Sequence, residues 1–181
     1  MSKHTLSKLS TERLVLRDLC EEDRSVIQGY WADERFLACY PPDRLSPEHC
    51  DETMDIALAQ GPDSGHNWAI TLDGRPIGRI RLELSERNST GTIGYELHPD
   101  HWGNGYATEA LREVVRYGFE ELRLHRLHAW TYEPNRASQR MLAKAGFTHE
   151  GTMRKRCSWG DGWVDDLLFG LLCEEWLGSS G

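Results

Sequence analysis

One short stretch constrains the fold of this chain more than any other: Tyr95-Glu-Leu-His-Pro-Asp-His-Trp-Gly-Asn-Gly-Tyr-Ala-Thr-Glu-Ala110. Its composition predicts a strand, a tight turn with glycine at 103 and 105, and then a helix. Glycine lets the backbone turn sharply and lets its N–H groups approach a ligand without a Cβ in the way. The first N–H groups of a helix are unpaired and carry partial positive charge. The stretch therefore predicts a backbone cradle for a phosphate, although a plain tight turn shows the same pattern.

The residues after this turn predict a helix with one buried face. Apolar or small residues recur there at helical spacing up to about residue 122: Ala107, Ala110, Leu111, Val114, Val115, Gly118 and Leu122. Two common phosphate loops are excluded. The turn lacks the Gly-Lys-Ser/Thr ending of a P-loop, and Thr108 stands where a Rossmann fingerprint would carry its third glycine.

Length and charge limit the kind of protein and partner. A chain of 181 residues suits one domain, here 1–181, and we expect flexible ends at 1–10 and 178–181. The net charge is −8 and the pI is about 5.5. These values argue against a nucleic-acid partner and suit a cationic or amine-bearing one, although an acidic surface also serves solubility.

The cysteines and the hydropathy indicate a cytoplasmic location. Five cysteines are scattered along the chain without a Cys-x-x-Cys pair, so neither a disulfide framework nor structural zinc is expected. No apolar run is long enough to span a bilayer, and the N-terminal residues lack the apolar core of a signal peptide. We therefore expect no membrane association.

The order of predicted elements is β-α-α-β-β-β-α-β-α-β-β. Turn and cap signals separate them, including Asp73-Gly74 between two strands, Ser46-Pro47 at a helix start and Gly146 after a helix end. The predicted strands cover 14–19, 66–72, 76–84, 92–98, 126–132, 148–159 and 163–172, and the predicted helices begin near 21, 46, 106 and 135. This order predicts an α/β (α+β) protein with a mixed sheet and helices on both faces.

Several motifs together resemble the GCN5-related N-acetyltransferase (GNAT) superfamily. The turn Trp102-Gly-Asn-Gly-Tyr-Ala107 resembles its acyl-CoA motif, Arg/Gln-x-x-Gly-x-Gly/Ala, with Trp102 in place of the first basic or amide residue. The stretch Asn135-Arg-Ala-Ser-Gln-Arg-Met-Leu-Ala-Lys-Ala-Gly-Phe147 resembles its second cofactor motif. The sequence around the turn and the C-terminal segment from Arg154 to Trp176 are similar to those of the RimJ/RimL branch of ribosomal-protein N-terminal acetyltransferases. The resemblance extends from Thr11 to about Leu177.

This resemblance implies the GNAT fold, with a mostly antiparallel sheet whose two central strands splay apart in a V. Those strands are the ones ending near His98 and Tyr132, and acetyl-CoA, the acetyl donor, lies in the gap between them. No metal is implied. The cofactor-binding residues implied are Leu97, His98, Trp102, Gly103, Asn104, Gly105, Tyr106, Ala107, Thr108, Asn135 and Ser138.

Two side chains are candidates for catalysis by direct transfer to a primary amine. Glu96 is a candidate general base, directly or through water, and Ser138 lies near the sulfur in the family and is a candidate proton donor to the thiolate. The alternatives are a structural carboxylate for Glu96, a packing residue for Ser138 and a plain helix N-cap for Asn135. Leu142 stands where many GNAT enzymes carry a tyrosine, which leaves the proton source for the thiolate open.

Other groups have narrower roles. A backbone N–H near Glu96 and Leu97 is the expected oxyanion donor. None of the cysteines lies on the cofactor turn, so an acetyl-cysteine intermediate is not expected. His125 and His128 lack a third ligand at suitable spacing, so no metal site is expected either.

The acceptor is the least constrained feature. The resemblance favours a peptide or protein N-terminal α-amine, with polyamines, aminoglycosides or amino acid derivatives as alternatives, or a non-catalytic acyl-CoA-binding module. Trp31, Tyr40 and Trp163 are candidates to line the acceptor site, although aromatic residues more often pack in cores. The early helices carry acidic residues that predict a negative rim for a cationic acceptor: Glu21, Glu22, Asp23, Asp33, Glu34, Asp43, Glu48, Asp51, Glu52 and Asp55. We expect a monomer or homodimer.

Overall fold

The structure is a computed structural model that describes residues 8–41, 46–61, 63–85 and 89–179. Its strands are β1 (Leu9–Ser10), β2 (Leu14–Asp18), β3 (Gly65–Leu72), β4 (Arg75–Ser85), β5 (Thr90–Leu97), β6 (Arg126–Tyr132), β7 (Thr148–Trp159) and β8 (Gly162–Leu172). Its helices are α1 (Arg24–Trp31), α2 (Glu34–Leu37), α3 (Pro47–Ala59), α4 (Tyr106–Glu120), α5 (Arg136–Lys144) and α6 (Cys173–Ser179). Short 3₁₀ turns precede α1 and follow β5, at Glu21–Asp23 and Pro99–His101.

The described strands form one sheet in the order β1-β2-β3-β4-β5-β6-β8-β7. All neighbouring pairs are antiparallel except β5 and β6, which are parallel and joined by the helical crossover α4. This arrangement confirms the predicted mixed, mostly antiparallel sheet and the GNAT fold.

The parallel pair β5 and β6 separates to form the predicted V. The two strands pair only at Thr90↔Arg126, Gly91↔Leu127 and Thr92↔His128. Beyond Thr92, β5 continues to Leu97 and β6 continues to Tyr132 without pairing to each other. The gap between these two ends is where the polar groups described below meet.

Two apolar clusters cover the two faces of the sheet. One face packs on α4, whose Ala110, Leu111, Val114 and Val115 are fully buried against strand residues such as Ile80. The other face carries α1, α2 and α3, which form their own cluster of Ile27, Tyr30, Trp31, Phe36, Cys50 and Met54. Because side chains alternate along a strand, β4 sends Ile80 and Leu82 to the α4 face and Arg79 and Arg81 to the other.

Most of the predicted elements are present with the predicted signals. Ser46 caps α3 by accepting a hydrogen bond from the His49 N–H, with Pro47 at the first helical position. Gly146 follows α5 at φ +93°, which is a left-handed value that favours glycine. Three elements were not predicted: β1, the single-turn helix α2 and the C-terminal helix α6.

The expected flexible ends fall mostly outside the described residues. Within them, Leu9 is buried and Leu9–Ser10 pairs with β2, so this part of 1–10 belongs to the fold. Gly178 lies in α6. The predicted break at Tyr40–Asp43 and the turn at Glu86–Ser89 also lie partly outside the described residues.

Candidate active site

Two cavities meet where β5 and β6 part. One, the large cleft, has a volume of about 740 Å³ and lies between the sheet, including β7, and the helices α2 and α3. The other, the turn channel, has a volume of about 220 Å³ and follows the glycine turn and the start of α4. Six residues line both cavities: Phe36, Tyr40, Tyr95, Glu96, Asn135 and Ser138. A molecule in each cavity would therefore meet the other at this junction.

The glycine turn has the backbone that its sequence predicts. Gly103 and Gly105 have φ values of +79° and +82°, which residues with a Cβ rarely adopt. Gly105 is the N-cap of α4, so unpaired N–H groups of the first turn face the channel end of the helix. The arrangement suits an anionic group such as a phosphate.

Most of the predicted cofactor residues line the turn channel. These are Leu97, Trp102, Gly103, Gly105, Tyr106, Ala107, Thr108, Asn135 and Ser138. His98 and Asn104 do not line it. His98 caps the 3₁₀ turn by accepting a hydrogen bond from the Asp100 N–H, and the Asn104 amide donates to the backbone carbonyls of His101 and Trp102. The geometry gives these two residues a role in the shape of the turn.

Arg13 holds the turn from outside and was not predicted. Its Nη1 donates to the Asn104 carbonyl at 3.1 Å, and its guanidinium lies 4.6 Å from the centre of the Tyr106 ring. Glu109 accepts from both the backbone and the side chain of Arg13. Arg13 therefore places a cation beside the phosphate cradle, where the family's own basic residue is replaced by Trp102.

The backbone of β5 supplies one candidate oxyanion donor. The His98 N–H donates to the Ile77 carbonyl on β4. Since the direction of backbone groups alternates along a strand, the Leu97 N–H points the other way, into the V. The Leu97 carbonyl on that side is occupied by the Trp102 indole N–H at 2.7 Å. The Leu97 N–H has no backbone partner in the part of the chain that the structure describes, so it is the candidate oxyanion donor.

Asn135 and Ser138 are brought together at the junction. The Asn135 side-chain oxygen accepts from the Ser138 N–H at 3.1 Å, so the N-cap interpretation of Asn135 is correct. Its amide NH₂ group has no hydrogen-bond partner among the described residues, and Asn135 lines both cavities. Ser138 is buried, and its hydroxyl lies 2.7 Å from the Tyr95 hydroxyl.

Tyr95 supplies a phenol that the sequence analysis did not assign. Leu142, which replaces the tyrosine of many relatives, is fully buried in the core. Burial raises the pKa of Tyr95, although the Ser138 hydrogen bond opposes this. The phenol therefore stays protonated near neutral pH and can orient the Ser138 hydroxyl. The sequence did offer one signal for this role, because Tyr95 stands directly before Glu96 on the strand that leads into the glycine turn.

Glu96 is a buried carboxylate with three donors on one oxygen. Its Oε1 accepts from Arg79 Nε at 2.6 Å, Trp31 Nε1 at 2.8 Å and the Tyr30 hydroxyl at 3.1 Å. The Arg79 and Glu96 side chains are only 5% and 8% exposed. Oε2 has no hydrogen bond within the described residues, which leaves it available at the junction. The contact with Glu96 pushes the pKa of the Tyr30 phenol up, in addition to the larger effect of burial.

The large cleft carries a row of arginine–carboxylate pairs. Besides Arg79–Glu96, Arg81 pairs with Glu83 and Arg156 pairs with Asp166. Trp31, Tyr40 and Trp163 also line this cleft, as the sequence analysis anticipated for an acceptor site. Each described carboxylate of the cleft is thus already neutralised by a guanidinium.

Of the ten acidic residues predicted to form a rim, the structure describes nine, and none of these lines the cleft itself, so the rim stays a prediction. Instead, several pair with arginines on the early elements. Arg24 binds Glu21, Asp51 and Asp55, and Arg17 binds the buried Asp23. Asp43 lies outside the described residues. Two arginines on α1 and β2 therefore hold four of these carboxylates in ion pairs.

Neither a metal centre nor a membrane span is found in the described ranges. No group of three His, Cys, Asp or Glu side chains is placed there to hold a metal ion. His128 Nε2 is hydrogen-bonded to the Thr92 hydroxyl at 2.9 Å, and the His125 side chain is exposed. Neither histidine belongs to a set of three possible metal ligands among the described residues. No helix among these residues is long and apolar enough to cross a bilayer.

Comparison with known proteins agrees with this geometry. "Uncharacterized N-acetyltransferase YoaA" of Bacillus subtilis is 32% identical over 154 residues, covering 81% of this chain and 86% of that protein. A GNAT-family acetyltransferase from Bacillus anthracis superimposes with a TM-score of 0.79 at 26% identity, covering 93% of this chain and 99% of the other. Mycobacterium smegmatis RimJ, solved in complex with CoA-disulfide, has the same TM-score at 21% identity, covering 96% and 95%.

The family itself is shown over most of the chain. Residues 13–148 match the family described as "Acetyltransferase (GNAT) domain", a range that contains the glycine turn, Glu96 and Ser138. Proteins of this fold bind CoA or acetyl-CoA as the acetyl donor. The turn channel described above fits that donor. This chain therefore belongs to the GNAT acetyltransferases and is an acetyl-CoA-dependent N-acetyltransferase.

Proposed function

We propose that the protein transfers an acetyl group from acetyl-CoA to the α-amine of a peptide or protein N-terminus, as a RimJ/RimL-like enzyme. The observation that carries this proposal is the junction of the large cleft and the turn channel at Glu96 and Ser138. An amine in the cleft would reach an acetyl group in the channel at these two side chains. RimJ itself, at 21% identity, supports the fold alone.

The size and charge of the large cleft favour a peptide over a polyamine. A volume of about 740 Å³ has room for several residues of an extended chain. A polyamine would need carboxylates free to bind its charges, whereas Glu83, Glu96 and Asp166 are all paired with arginines. A peptide α-amine also has a pKa of about 8, so an appreciable part is neutral near pH 7.

Each residue at the junction has a separate role in the proposed acetyl transfer. The amine nitrogen bonds to the acetyl carbon, the carbon–sulfur bond breaks, the nitrogen loses a proton and the sulfur gains one. Glu96 receives the amine proton at its free Oε2, directly or through water. The Leu97 N–H stabilises the oxyanion, and the Ser138 hydroxyl, oriented by Tyr95, gives its proton to the departing sulfur and regains one from solvent by way of the Tyr95 hydroxyl.

Proximity supplies much of the rate enhancement in this scheme, because the two cavities deliver the reactants to one point. The Asn135 amide on the channel side binds the arm of the donor. The five described cysteines are free thiols, which supports our further proposal that the enzyme acts in the cytoplasm.

Steady-state acetylation rates test the acceptor. Alanyl and seryl peptides are compared with spermidine and kanamycin by thiol release, and the products are located by mass spectrometry. An N-terminally blocked peptide of the same sequence is the control. We expect turnover of the free peptides, with acetylation at the α-amine. Turnover of spermidine or kanamycin with inert peptides would show that the peptide proposal is wrong.

A further inference from the structure

We propose that the acceptor carries a carboxylate close to its reacting amine, and that Arg81 and Arg156 bind this carboxylate from opposite walls of the large cleft. This inference rests on the proposed function because it places the acceptor in that cleft. It adds a substrate class, namely amines with a carboxylate one or two residues away.

Arg156 is fixed in place with part of its guanidinium free. Its Nη1 donates to Asp166 at 2.5 Å, and its Cζ lies 5.1 Å from the centre of the Trp130 ring. The side chain is 49% exposed, and its other N–H groups have no partner among the described residues. A guanidinium stacked on an aromatic ring keeps its N–H edges directed outward, where they bind a carboxylate in two-point geometry.

On the other wall of the cleft, Arg81 is likewise held by one ion pair and has guanidinium N–H groups without a partner among the described residues. Its Nε donates to Glu83 at 2.8 Å, and the Nη groups have no partner in the described part of the chain. Its guanidinium lies on the backbone of Gly94, where a Cβ would come within 2.6 Å of Cζ. The missing side chain at Gly94 therefore lets Arg81 lie flat on β5 at the mouth of the V.

The strand arrangement places these two arginines on opposite sides of the gap. Arg81 belongs to the wall of β4 and β5, and the Arg156–Trp130 pair belongs to the wall of β6, β8 and β7. Each of the three described carboxylates of the cleft pairs with one arginine, so the pairs are balanced in charge. What Arg81 and Arg156 add is guanidinium N–H groups beyond those used in their ion pairs, and such groups bind a carboxylate and repel a second ammonium group.

The distance to the reaction centre sets where the carboxylate lies in the acceptor. Arg81 is two residues from Arg79 along β4, and Arg79 pairs with Glu96. At ~3.3 Å per residue the Cα atoms of Arg79 and Arg81 are roughly 7 Å apart, so an extended peptide that runs along β4 with its amine at Glu96 brings a residue about two positions further on to Arg81. The matching acceptors are a peptide with an acidic second residue and a small amino acid in which several methylene groups separate the amine from the carboxylate.

Exposed tryptophans beside Arg156 support a ligand at this wall. Trp130 and Trp163 line the cleft with 37% and 62% of their surface exposed. Exposed aromatic side chains in a cleft beside an arginine are typical of binding sites. They offer an apolar surface to the remainder of the acceptor.

Three C-terminally amidated peptides that differ only at the second residue test the inference. The second residue is glutamate, glutamine or lysine, and kcat/KM is measured for each with the wild type and with Arg81→Gln, Arg156→Gln and Arg154→Gln. Arg154 is an exposed neighbour on β7 that does not line the cleft, which makes it the matched control. We expect the wild type to prefer glutamate over glutamine by on the order of tenfold, as charge-assisted hydrogen bonds suggest.

The variants assign this preference to the two arginines. Arg81→Gln and Arg156→Gln should each bring the glutamate-to-glutamine ratio towards one, while Arg154→Gln keeps the wild-type ratio. Equal or faster turnover of the lysine peptide would overturn the inference and leave the peptide function intact. An unchanged ratio in both cleft variants would overturn it as well.

A second arm separates a peptide side chain from a small acceptor. 4-Aminobutyrate and 1,4-diaminobutane differ only in a carboxylate against a second amine. If the peptides are inert but 4-aminobutyrate is acetylated and Arg156→Gln abolishes this, the peptide function fails and the carboxylate inference stands. A folded protein that binds acetyl-CoA but acetylates neither panel would contradict both.

Discussion

The hydroxyl groups of Ser138 and Tyr95 lie 2.7 Å apart at the junction of the two cavities. We predict that Ser138→Ala lowers kcat by roughly 10–100-fold and changes the acetyl-CoA affinity little, because its hydroxyl acts mainly as charge develops on sulfur. Stopped-flow thiol release gives kcat, and calorimetry gives the affinity. A parallel loss of affinity and rate would instead make Ser138 a packing residue.

Tyr95→Phe provides the matched variant for this pair, since it removes only the phenolic oxygen. We expect a smaller loss in kcat than for Ser138→Ala, because Tyr95 acts by orienting the serine. The double variant should be no slower than Ser138→Ala alone, which is the signature of two groups acting as a unit. Fully additive losses would show that the two hydroxyls act independently.

Glu96 combines a structural contact with its proposed role as a base. We predict that Glu96→Gln loses most activity at low pH, where more of the acceptor amine is protonated and must be deprotonated. It also leaves the buried Arg79 without its counter-charge, at a cost of up to about 3–5 kcal/mol. Urea denaturation must therefore accompany the pH–rate profile between pH 6 and 9.

The control for Glu96 is Glu83→Gln, which breaks the more exposed Arg81 pair on the same sheet face. Its pH–rate profile for an alanyl-glutamine peptide should keep the wild-type shape. If Glu96→Gln lowers activity by the same factor at every pH, the carboxylate positions the acceptor and does not accept its proton.

The glycine turn is an element whose shape depends on a residue far away in the sequence. Arg13 bonds to the Asn104 carbonyl and lies beside Gly105. We predict that Arg13→Ala raises the KM for acetyl-CoA by about tenfold, since it removes a cation and a support from the phosphate cradle. The effect should decrease as salt concentration rises.

Acetyl-pantetheine, which lacks the nucleotide and its phosphates, is the control substrate for this variant. Arg13→Ala should leave its KM close to the wild-type value. If the KM values for acetyl-CoA and acetyl-pantetheine rise by the same factor, Arg13 supports the fold in general. The urea concentration at the midpoint of unfolding should then also be lower for the variant.

The elements with a clear period or turn signal could be predicted, and those without one could not. The strands and α4 follow the apolar spacing, and the V at β5 and β6 followed from the family resemblance. The helix α2 is a single turn from Glu34 to Leu37, which is too short to show a helical period. Arg13 and Arg79 are separated from the glycine turn and from Glu96 by long stretches of chain, and no local pattern reports such contacts.

At the scale of the whole molecule, the negative net charge is not concentrated on the active site. Five of the acidic residues on the early elements pair with Arg17, Arg24 or Arg35, and the cleft has its own balanced pairs. Arg79 and Glu96 also connect the two apolar clusters, since Arg79 on the sheet contacts the Trp31 ring of the helical cluster. The site and the packing of the early helices therefore depend on the same buried ion pair.

Global stability should depend on pH through a buried histidine. His66 on β3 stacks on the Trp68 ring at 5.1 Å and contacts the Tyr117 ring edge at 5.4 Å. Its Nδ1 is buried without a hydrogen-bond partner among the described residues, and burial lowers the pKa of His66. The folded state therefore holds this side chain neutral at pH values where the unfolded chain already protonates it.

The sign of the effect follows from proton binding. An unfolded histidine titrates at about 6.5, so below this pH the unfolded state binds more protons than the native state. We predict that the free energy of unfolding falls as pH drops below about 6.5, and that His66→Phe reduces this slope in urea denaturation between pH 5 and 8. Burial lowers the pKa of His128 too, so part of the slope should remain. A His66→Phe slope equal to that of the wild type would show that His66 is not the source.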